Sequence, residues 1–424
     1  MVPQHRIHAL DAVRAFALLT GILLHETLSF IGSYPVQDSS PSMMLGVTAY
    51  VIHIFRMSLF FMMAGFFAHM VLHRRGTRAF VKDRSTRILV PMVGGWFIFG
   101  TLTIVVMHWG GRRTSGGVPL LHFWFLYYLS IFYVLALTLR EAFDGLIDRD
   151  GRTRVAIDSV VRSMTSTYIA PIVLAAPLFV VLYFNDAWAV WWGIPAPSTS
   201  FMPNVSAMVG YGTAFGFGWF LHRQAELLGR WQAAWHVHLW IGIALTAVCL
   251  SIVGYAPGLT MVPGPAGSRV AYTGCYTVAT WFWTFGIVGA GLRFCSQQSP
   301  LRRYLADSSY YLFLAHLPLV FFLQVVFAKV PLHWTVKFPL IFAIALTVLL
   351  VSYHYWVRPT FIGALLNGRK YSRRKVLGPA LGQKQLPPPS ICLPPGGQMG
   401  PLTCASYSPH LYTSSSSELG RGLI

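Results

Sequence analysis

Ten stretches of this chain are each apolar over enough residues to cross a lipid bilayer as an α-helix. About 20 helical residues span the roughly 30 Å of hydrocarbon, where every backbone N–H and C=O group needs an internal partner. A mean hydropathy of +0.56 agrees with such a chain. The sequence therefore predicts an all-α, polytopic membrane bundle with about ten transmembrane helices. The segments lie near residues 12–33, 45–72, 89–107, 119–140, 168–187, 205–222, 236–255, 270–293, 307–328 and 337–357.

The distribution of positive charge predicts the orientation of this bundle. The chain has 32 Lys and Arg against 13 Asp and Glu, and such an excess alone would suit a nucleic-acid-binding protein. Most of these cations, however, fall in alternate connections and after residue 357, as in cytoplasmic loops of membrane proteins. We expect both termini in the cytoplasm of a multi-pass inner (plasma) membrane protein that contacts lipid and no nucleic acid. The basic face also suits anionic lipids or an anionic cytosolic substrate.

The composition changes near residue 367. Residues 1–366 have mostly short connections and are predicted to form one transmembrane domain, with 141–167 as a partly helical cytoplasmic loop. Residues 367–424 begin with GRKYSRRK and become rich in Pro, Ser and Gly. Such a segment cannot bury a core, so we expect a disordered cytoplasmic tail.

Ionisable residues stand in the first apolar segment, AVRAFALLTGILLHETLSF. Arg14 and His25 are about three helical turns and 16 Å apart on one stripe. Ionisable groups at this depth are costly and usually functional. Arg14, one turn after Asp11, fits either an anchor to lipid phosphates or a donor-binding group. His25, which is followed by Glu26, is the stronger candidate for chemistry.

The second segment, VIHIFRMSLFFMMAGFFAHM, adds His53 and Arg56 one turn apart. Because this helix is predicted to run inward, both residues reach depths similar to those of His25 and Glu26. Arg56 has two interpretations. It either forms an ion pair with Glu26, since an unpaired charge is expensive there, or binds an anionic acyl group.

The first predicted cytoplasmic loop, HRRGTRAFVKDRSTRILVP, is strongly basic. Topology alone explains a basic loop. Arg84 and Arg87, however, are one turn apart, and two guanidinium groups at this spacing can grip phosphates. A phosphate-rich cytosolic cosubstrate is therefore one interpretation of this pair.

Further polar and aromatic residues mark the later segments. His122 and Trp124 begin the fourth, in LLHFWFLYYLS, and His316 lies in the ninth, two residues before Pro318, which can open the local backbone. Each has a plain structural interpretation, but several His residues in one bundle favour a site. The external stretch NDAWAVWWGIPAPSTSFMPN carries three Trp, for which we favour interfacial anchoring over a sugar-stacking platform.

Together these segments resemble the membrane-bound acyltransferase family 3. Its first-helix signature is Arg, ten residues and His, which Arg14 and His25 match within LDAVRAFALLTGILLH. FRMSLFFMMAGFF, RSTRILVP, HFWFLYYL and SYYLFLAHLPL also match, in the family's order, over about residues 5–360. IHIFRMSLFF and AHLP look most like the glucans biosynthesis protein C type, similar proteins that succinylate osmoregulated periplasmic glucans. The Pro- and Ser-rich tail and details of the external loops depart from that pattern.

The resemblance implies an O-acyltransferase (not an aminoacyltransferase) that uses cytosolic acyl-CoA, with succinyl-CoA as one candidate, and a carbohydrate hydroxyl in the periplasm or cell envelope. His25, whose ordinary pKa is about 6.5, would act as general base or form an acyl-imidazole, and Glu26 would orient it. CoA phosphates would meet the basic cytoplasmic face, and Arg56 would hold a distal carboxylate. The predicted substrate-binding residues are Arg14, Arg56, Arg84, Arg87, His53, His122, Trp124 and His316.

Two other classes fit the same polar interior. A transporter would export an acylated or anionic saccharide without bond chemistry, although the chain lacks an obvious internal repeat. A membrane scaffold would use the polar residues to lock helices together. The sequence has no zinc-ligand spacing and no nucleotide-binding glycine loop, so we expect no metal and no permanently bound cofactor. The acyl group, the acceptor and the oligomeric state stay open.

Overall fold

The computed structural model describes residues 4–32, 36–111, 119–143, 145, 152–165, 169–196, 200–258, 260–368 and 371. Within them the chain is helical and has no strand, apart from one isolated antiparallel bridge between Ala189 and Met261. The all-α prediction is therefore confirmed for the described residues. The α-helices are α1 (Gln4–Thr27), α2 (Met43–Arg84), α3 (Val90–Gly95), α4 (Thr101–Trp109), α5 (Trp124–Ala142), α6 (Arg152–Thr165), α7 (Ala170–Tyr183), α8 (Val205–Arg223), α9 (Leu227–Ala233), α10 (Trp235–Val253), α11 (Ala266–Phe294), α12 (Pro300–Phe327), α13 (Trp334–Ser352) and α14 (Phe361–Asn367).

Each of the ten predicted segments is helical. Among the described residues, seven helical runs are long and apolar enough to cross a membrane. The longest, Met43–Trp109, contains two predicted segments, and α7 is a shorter apolar helix. The number of crossings and the cytoplasmic position of the termini stay predictions. Almost all of the predicted tail lies outside the described residues, and only part of 141–167 is described, chiefly as α6.

Helix α2 is interrupted where a straight helix would overshoot the membrane. Its 42 residues would extend about 63 Å, roughly twice the hydrocarbon thickness. At Gly76 the backbone has φ +75° and ψ 170°, a conformation that glycine adopts without a Cβ penalty. Two π-helical turns follow at Ser85–Leu89 and Trp96–Gly100. The basic segment after Gly76 is thereby turned away from the apolar part of α2.

Helix α1 occupies the middle of the bundle, where it packs against α2, α11, α12 and α13. Ala9, Val13 and Ala17 on one side and Ile22 and Leu24 farther along are buried in the core. This packing places the Arg14–His25 stripe inside protein rather than in lipid. An interior position is where polar intramembrane residues can meet substrate or one another.

The crossing of α2 and α8 depends on two glycines. A Cβ atom built on Gly65 would lie 2.0 Å from the Phe215 carbonyl oxygen, and one on Gly218 would lie 1.9 Å from that of Met62. The two backbones therefore touch, as small residues allow in membrane bundles. This agrees with the packing role that small size predicts for Gly65.

Replacement of Gly218 by alanine should separate α2 from α8. Because the new methyl group meets a backbone carbonyl that cannot rotate away, we expect Gly218→Ala to lower the free energy of unfolding in detergent by about 1–3 kcal/mol. The control is Gly216→Ala on the same helix, where a Cβ atom has nothing within 4 Å. That control should be neutral or slightly stabilising, since alanine favours helix. Equal effects of the two substitutions would contradict the close crossing.

Trp188 and Trp191, two of the three tryptophans in the stretch predicted to be external, are not at the surface, as interfacial anchoring would require. Trp188 is fully buried, donates its indole N–H to the Gly193 carbonyl at 2.8 Å and packs on Tyr276. Trp191 is also buried, with its ring 5.0 Å from that of Tyr50. The segment folds onto the bundle because these rings find aromatic partners there.

A buried ion pair joins the segment before α2 to α13. The Lys337 ammonium lies 2.8 and 3.0 Å from the two carboxylate oxygens of Asp38, and 3.2 Å from the Ser39 hydroxyl. The Lys337 side chain is 0% exposed and that of Asp38 is 2% exposed. Asp38 also accepts the backbone N–H of Ser40 at 2.8 Å. Lys337, at the start of the predicted apolar segment 337–357, is thus a core residue.

Candidate active site

The end of α1 presents His25 to α12. The last carbonyls of a helix have no partner within it. Here the Gln324 side-chain amide in α12 donates to the carbonyl oxygens of His25 at 2.7 Å and Glu26 at 3.1 Å. Gln324 is 1% exposed. Its two bonds fix the position of the helix turn that carries His25.

Three histidine rings from different parts of the chain meet beside this turn. The ring centroids of His25 and His316 are 5.2 Å apart, and those of His316 and His122 are also 5.2 Å apart. His122 lies in a short 3₁₀ turn before α5, and His316 lies in the middle of α12. We call His25, His122 and His316 the histidine cluster. The sequence predicted each as a site residue, and the structure brings them together.

Backbone carbonyls determine the tautomers of two rings in the cluster. His316 Nδ1 lies 2.7 Å from the Phe313 carbonyl oxygen, and His122 Nε2 lies 3.2 Å from that of Leu314. A carbonyl only accepts, so both nitrogens carry hydrogen. In the neutral rings, His316 Nε2 and His122 Nδ1 are then bases, and both are buried without a hydrogen-bond partner among the described residues.

Proline at position 318 explains why a helix carbonyl is available to His122. In a regular helix the N–H of residue 318 would bond to the Leu314 carbonyl, but proline has no N–H. The freed Leu314 oxygen accepts the His122 bond instead. The sequence-based expectation that Pro318 opens the local backbone thus has a specific consequence, since it orients a histidine of the cluster.

Arg56 reaches the cluster through a gap left by glycine. A Cβ atom on Gly21, one turn before His25, would lie 2.8 Å from Arg56 Nη1. The guanidinium is within electrostatic range of all three rings of the cluster. Its Nε atom is buried and has no hydrogen-bond partner in the described part of the chain. A cationic fork therefore lies beside three imidazoles.

The ion pair between Arg56 and Glu26, one of the two interpretations of Arg56, is absent among the described residues. Glu26 is fully buried on another side of α1, where the backbone of Phe342 in α13 faces its carboxyl group. Neither carboxyl oxygen has a hydrogen-bond partner of good geometry. His25 and Glu26 are adjacent in α1, and the side chains of adjacent helical residues project about 100° apart. The Glu26 carboxyl group therefore faces another side of α1 than the His25 ring does. Glu26 is therefore not seen to orient the His25 ring.

His53 and Trp124 flank the cluster. His53 packs against Gly193, where a Cβ atom would lie 3.2 Å from His53 Nδ1, and its Nε2 atom is buried without a partner. The Trp124 ring stacks on Tyr211 with centroids 5.6 Å apart. Tyr211 is in turn within electrostatic range of Arg56. These side chains extend the polar and aromatic surface around Arg56.

A second site lies at the other end of the Arg14–His25 stripe. Arg14 and Arg84 line a cavity of about 80 Å³, together with Arg303, Asp11 and Asp307. Arg14 pairs with Asp11 at 3.4 Å and lies over the Phe67 ring. Arg84 is held between the rings of Phe80 and Tyr133, each 5.3 Å away. We call this space the arginine cavity.

Arg87 is not part of the arginine cavity. Its Nε atom lies 3.3 Å from Asp83, and its guanidinium covers Gly368, where a Cβ atom would collide with it. The Tyr310 hydroxyl donates to the Arg87 carbonyl at 2.7 Å. Arg84 Nε lies 3.9 Å from the same Asp83 carboxylate, so the two arginines share this partner, but only Arg84 lines the arginine cavity. The turn at Ser85–Leu89 is π-helical, which changes the angular spacing that an α-helix would give them.

Aromatic rings separate the arginine cavity from the histidine cluster. Phe60 and Phe125 line the cavity, with ring centroids 4.3 Å apart. Phe125 also contacts Phe313 at 5.5 Å, and the Phe313 ring lies 5.3 Å from that of His122. One layer of phenylalanine rings thus stands between the two sites.

Some site residues were not predicted from the sequence. Gln324 is a polar residue in an apolar helix, which was a usable signal, whereas Tyr211 and Phe313 are unremarkable aromatic residues. The Leu314 carbonyl could only be found through the effect of Pro318. Among the described residues no group of three or more His, Cys, Asp or Glu is arranged to hold a metal ion.

Sequence comparisons identify proteins that are similar to this chain. A family model described as an acyltransferase domain, acyltransferase family 3, matches residues 7–354. The glucans biosynthesis protein C of Shigella dysenteriae serotype 1 is 25% identical over 167 residues, which cover 36% of this chain and 43% of that protein. That of Escherichia coli O157:H7 is 34% identical over 93 residues, 22% of this chain and 24% of the relative.

The chain thus aligns with less than half the length of these curated relatives. No solved structure gives a significant match. The family match is much more extensive, since it includes α1 to α13 and both sites described above. The resemblance predicted from the Arg14–His25 signature is therefore confirmed, and the chain belongs to the acyltransferase 3 family.

Proposed function

We propose that this protein transfers an acyl group from acyl-CoA to a carbohydrate hydroxyl within the helix bundle. The observation that carries the proposal is the histidine cluster with its two unpartnered base nitrogens beside Arg56. Buried polar atoms normally have a partner. A hydroxyl group would donate to a base nitrogen, and a developing oxyanion would accept hydrogen bonds from Arg56.

In this mechanism His25 accepts the proton of the acceptor hydroxyl as its oxygen attacks the thioester carbonyl. Arg56 stabilises the oxyanion. The carbon–sulfur bond then breaks, and the CoA thiolate leaves and takes the proton from His25. His316 Nε2 and His122 Nδ1 can only accept, so they bind an ordered water or neighbouring hydroxyls of the saccharide, while the one hydrogen of the attacking hydroxyl goes to His25. Attack by His25 itself, through an acyl-imidazole, is the alternative order of the same bond changes.

The arginine cavity is the proposed site for the phosphates of CoA. Two guanidinium groups held by aromatic rings, Arg14 and Arg84, fit polyanionic ligands. The stripe from Arg14 to His25 rises about 16 Å along α1. A pantetheine arm must follow this direction and displace the Phe60 and Phe125 rings to bring the thioester to the cluster.

The finer identity of the substrates follows from the relatives and from charge. The matched relatives are named for glucan biosynthesis, so a periplasmic glucan is the proposed acceptor. The five N–H donors of the Arg56 guanidinium can pair with the distal carboxylate of succinyl-CoA as well as with the oxyanion, which makes succinyl the proposed acyl group. In the orientation predicted from the distribution of positive charge, CoA enters from the cytoplasm, and the glucan lies on the outer side of the inner membrane.

Incubation of the purified protein with radiolabelled succinyl-CoA, acetyl-CoA and a periplasmic glucan fraction tests the proposal. We expect labelled glucan and one free CoA per acyl group transferred. Reconstituted vesicles distinguish the transporter, which would move an unchanged saccharide across the bilayer without releasing CoA. Saccharide transport without acylation would overturn the proposal.

Substitution of Arg84 should weaken donor binding more than it slows chemistry. Because Arg84 lines the arginine cavity and not the histidine cluster, we expect Arg84→Gln to raise the KM for acyl-CoA about tenfold, equivalent to roughly 1.4 kcal/mol, with kcat little changed. The control is Arg293→Gln, an exposed arginine in the last turn of α11. An unchanged KM in a folded Arg84→Gln protein would show that Arg84 has a structural role and does not bind the donor.

A further inference from the structure

A lateral groove that the proposed acyl transfer does not use opens between α2, α5 and α8. Its volume is about 1400 Å³, larger than the roughly 300–1,000 Å³ of most small-molecule pockets. Leu135 and Leu139 line it from α5, and Val209 and Phe220 line it from α8. Such a long apolar wall suits hydrocarbon chains.

One end of the groove is basic. Arg74, Arg140, Arg162 and Arg223 line it, against Glu226 as the acidic lining residue. Arg223 pairs with Asp158 at 2.5 Å and Arg162 with Glu226 at 3.4 Å. Among the described residues that line the groove, these four arginines stand against one carboxylate, that of Glu226. This charge is complementary to a phosphate group.

A histidine pair lies in the wall at the same end. His69 Nδ1 and His222 Nδ1 are 2.9 Å apart, and Trp219 packs on His69 at 5.0 Å. When both rings are neutral, one Nδ1 donates to the other, so the second ring must carry its hydrogen on Nε2. The pair thereby keeps one N–H donor for a ligand in the groove.

Helix α6 borders the basic end through Arg162. Its sequence, RTRVAIDSVVRSMT, repeats apolar and polar residues with the helical period. An amphipathic helix with basic residues on its polar side lies at the headgroup level of a membrane. Helix α6 thus joins the basic end of the groove to an amphipathic surface of the kind that binds at lipid headgroups.

We propose that this groove is a binding site for a membrane phospholipid with an anionic headgroup. The acyl chains lie along α5 and α8, and the phosphate lies among the arginines and the histidine pair. A zwitterionic lipid binds less favourably at this end, because the arginines repel the cationic group of its headgroup. Phosphatidylglycerol is the probe that tests this chemistry.

Native mass spectrometry of the full-length protein, delipidated and titrated with phosphatidylglycerol or phosphatidylcholine, measures the site directly. We expect phosphatidylglycerol to bind at least about tenfold more tightly, which is roughly 1.4 kcal/mol. Gly216→Leu should remove most of this binding, because position 216 lines the groove and its Cβ direction is open. The double variant Arg74→Gln/Arg140→Gln should remove the preference between the two lipids.

Arg293→Gln is the control for general loss of positive charge, since Arg293 is exposed outside the groove. It should leave the affinity for phosphatidylglycerol unchanged. Thermal unfolding identifies any variant that fails to fold, and the open space at Gly216 makes Gly216→Leu the variant that keeps its fold. Equal affinity for the two lipids, or undiminished binding by folded Gly216→Leu, would overturn the proposal.

Discussion

Replacement of His25 by alanine should lower the rate of acyl transfer by about 10²–10⁴-fold, the usual contribution of a general base. His25 belongs to the cluster whose other two rings have fixed tautomers. In the proposed mechanism these two rings bind water or neighbouring saccharide hydroxyls, so they do not replace His25 as the base for the attacking hydroxyl. The measurement is single-turnover formation of acylated glucan, with circular dichroism and thermal unfolding as checks of the fold.

His236→Ala is the matched control, because His236 is an exposed histidine on α10 outside the cluster. It should retain normal activity. A folded His25→Ala protein with near wild-type rates would remove His25 from the mechanism. Quenching the wild-type reaction with labelled acyl-CoA and no glucan separates the two mechanisms, since only the acyl-imidazole route leaves label on the protein.

Replacement of Lys337 by methionine should lower the free energy of unfolding by about 3–5 kcal/mol, because the change leaves the buried Asp38 carboxylate unpaired. The double variant Asp38→Ala/Lys337→Met removes both charges, and we expect it to recover a large part of this loss. Denaturant or thermal unfolding in detergent measures each value. The coupling between the two sites follows from the double-mutant cycle.

An exposed ion pair provides the control for this prediction. Arg269 and Asp186 are 2.6 Å apart, but the Asp186 side chain is 88% exposed. Water screens such a pair, so Asp186→Asn should cost about 1 kcal/mol at most. Similar losses in the free energy of unfolding for Lys337→Met and Asp186→Asn would show that burial of the Lys337 ammonium does not increase the cost of breaking its ion pair.

The positions of the arginines show how tertiary packing changes the meaning of a spacing. Arg84 and Arg87 look equivalent in the sequence and both contact Asp83, but a π-helical turn follows Arg84, and only Arg84 lines the arginine cavity. Arg56 and Glu26 reach similar depths and were a reasonable pair, yet they face different neighbours. Depth can be derived from residue number along a helix, whereas the direction that a side chain faces depends on the neighbours of that helix.

The sequence by itself determined the helical class and the separation of Arg14 and His25 along one helix. These features are local, because apolar runs favour membrane helices and a helix rises by a fixed distance per residue. Only the tertiary structure decided that His25 meets His122 and His316, and that Arg84 joins Arg14 without Arg87. These contacts join residues up to about 290 positions apart, so they depend on helix packing that no local pattern encodes.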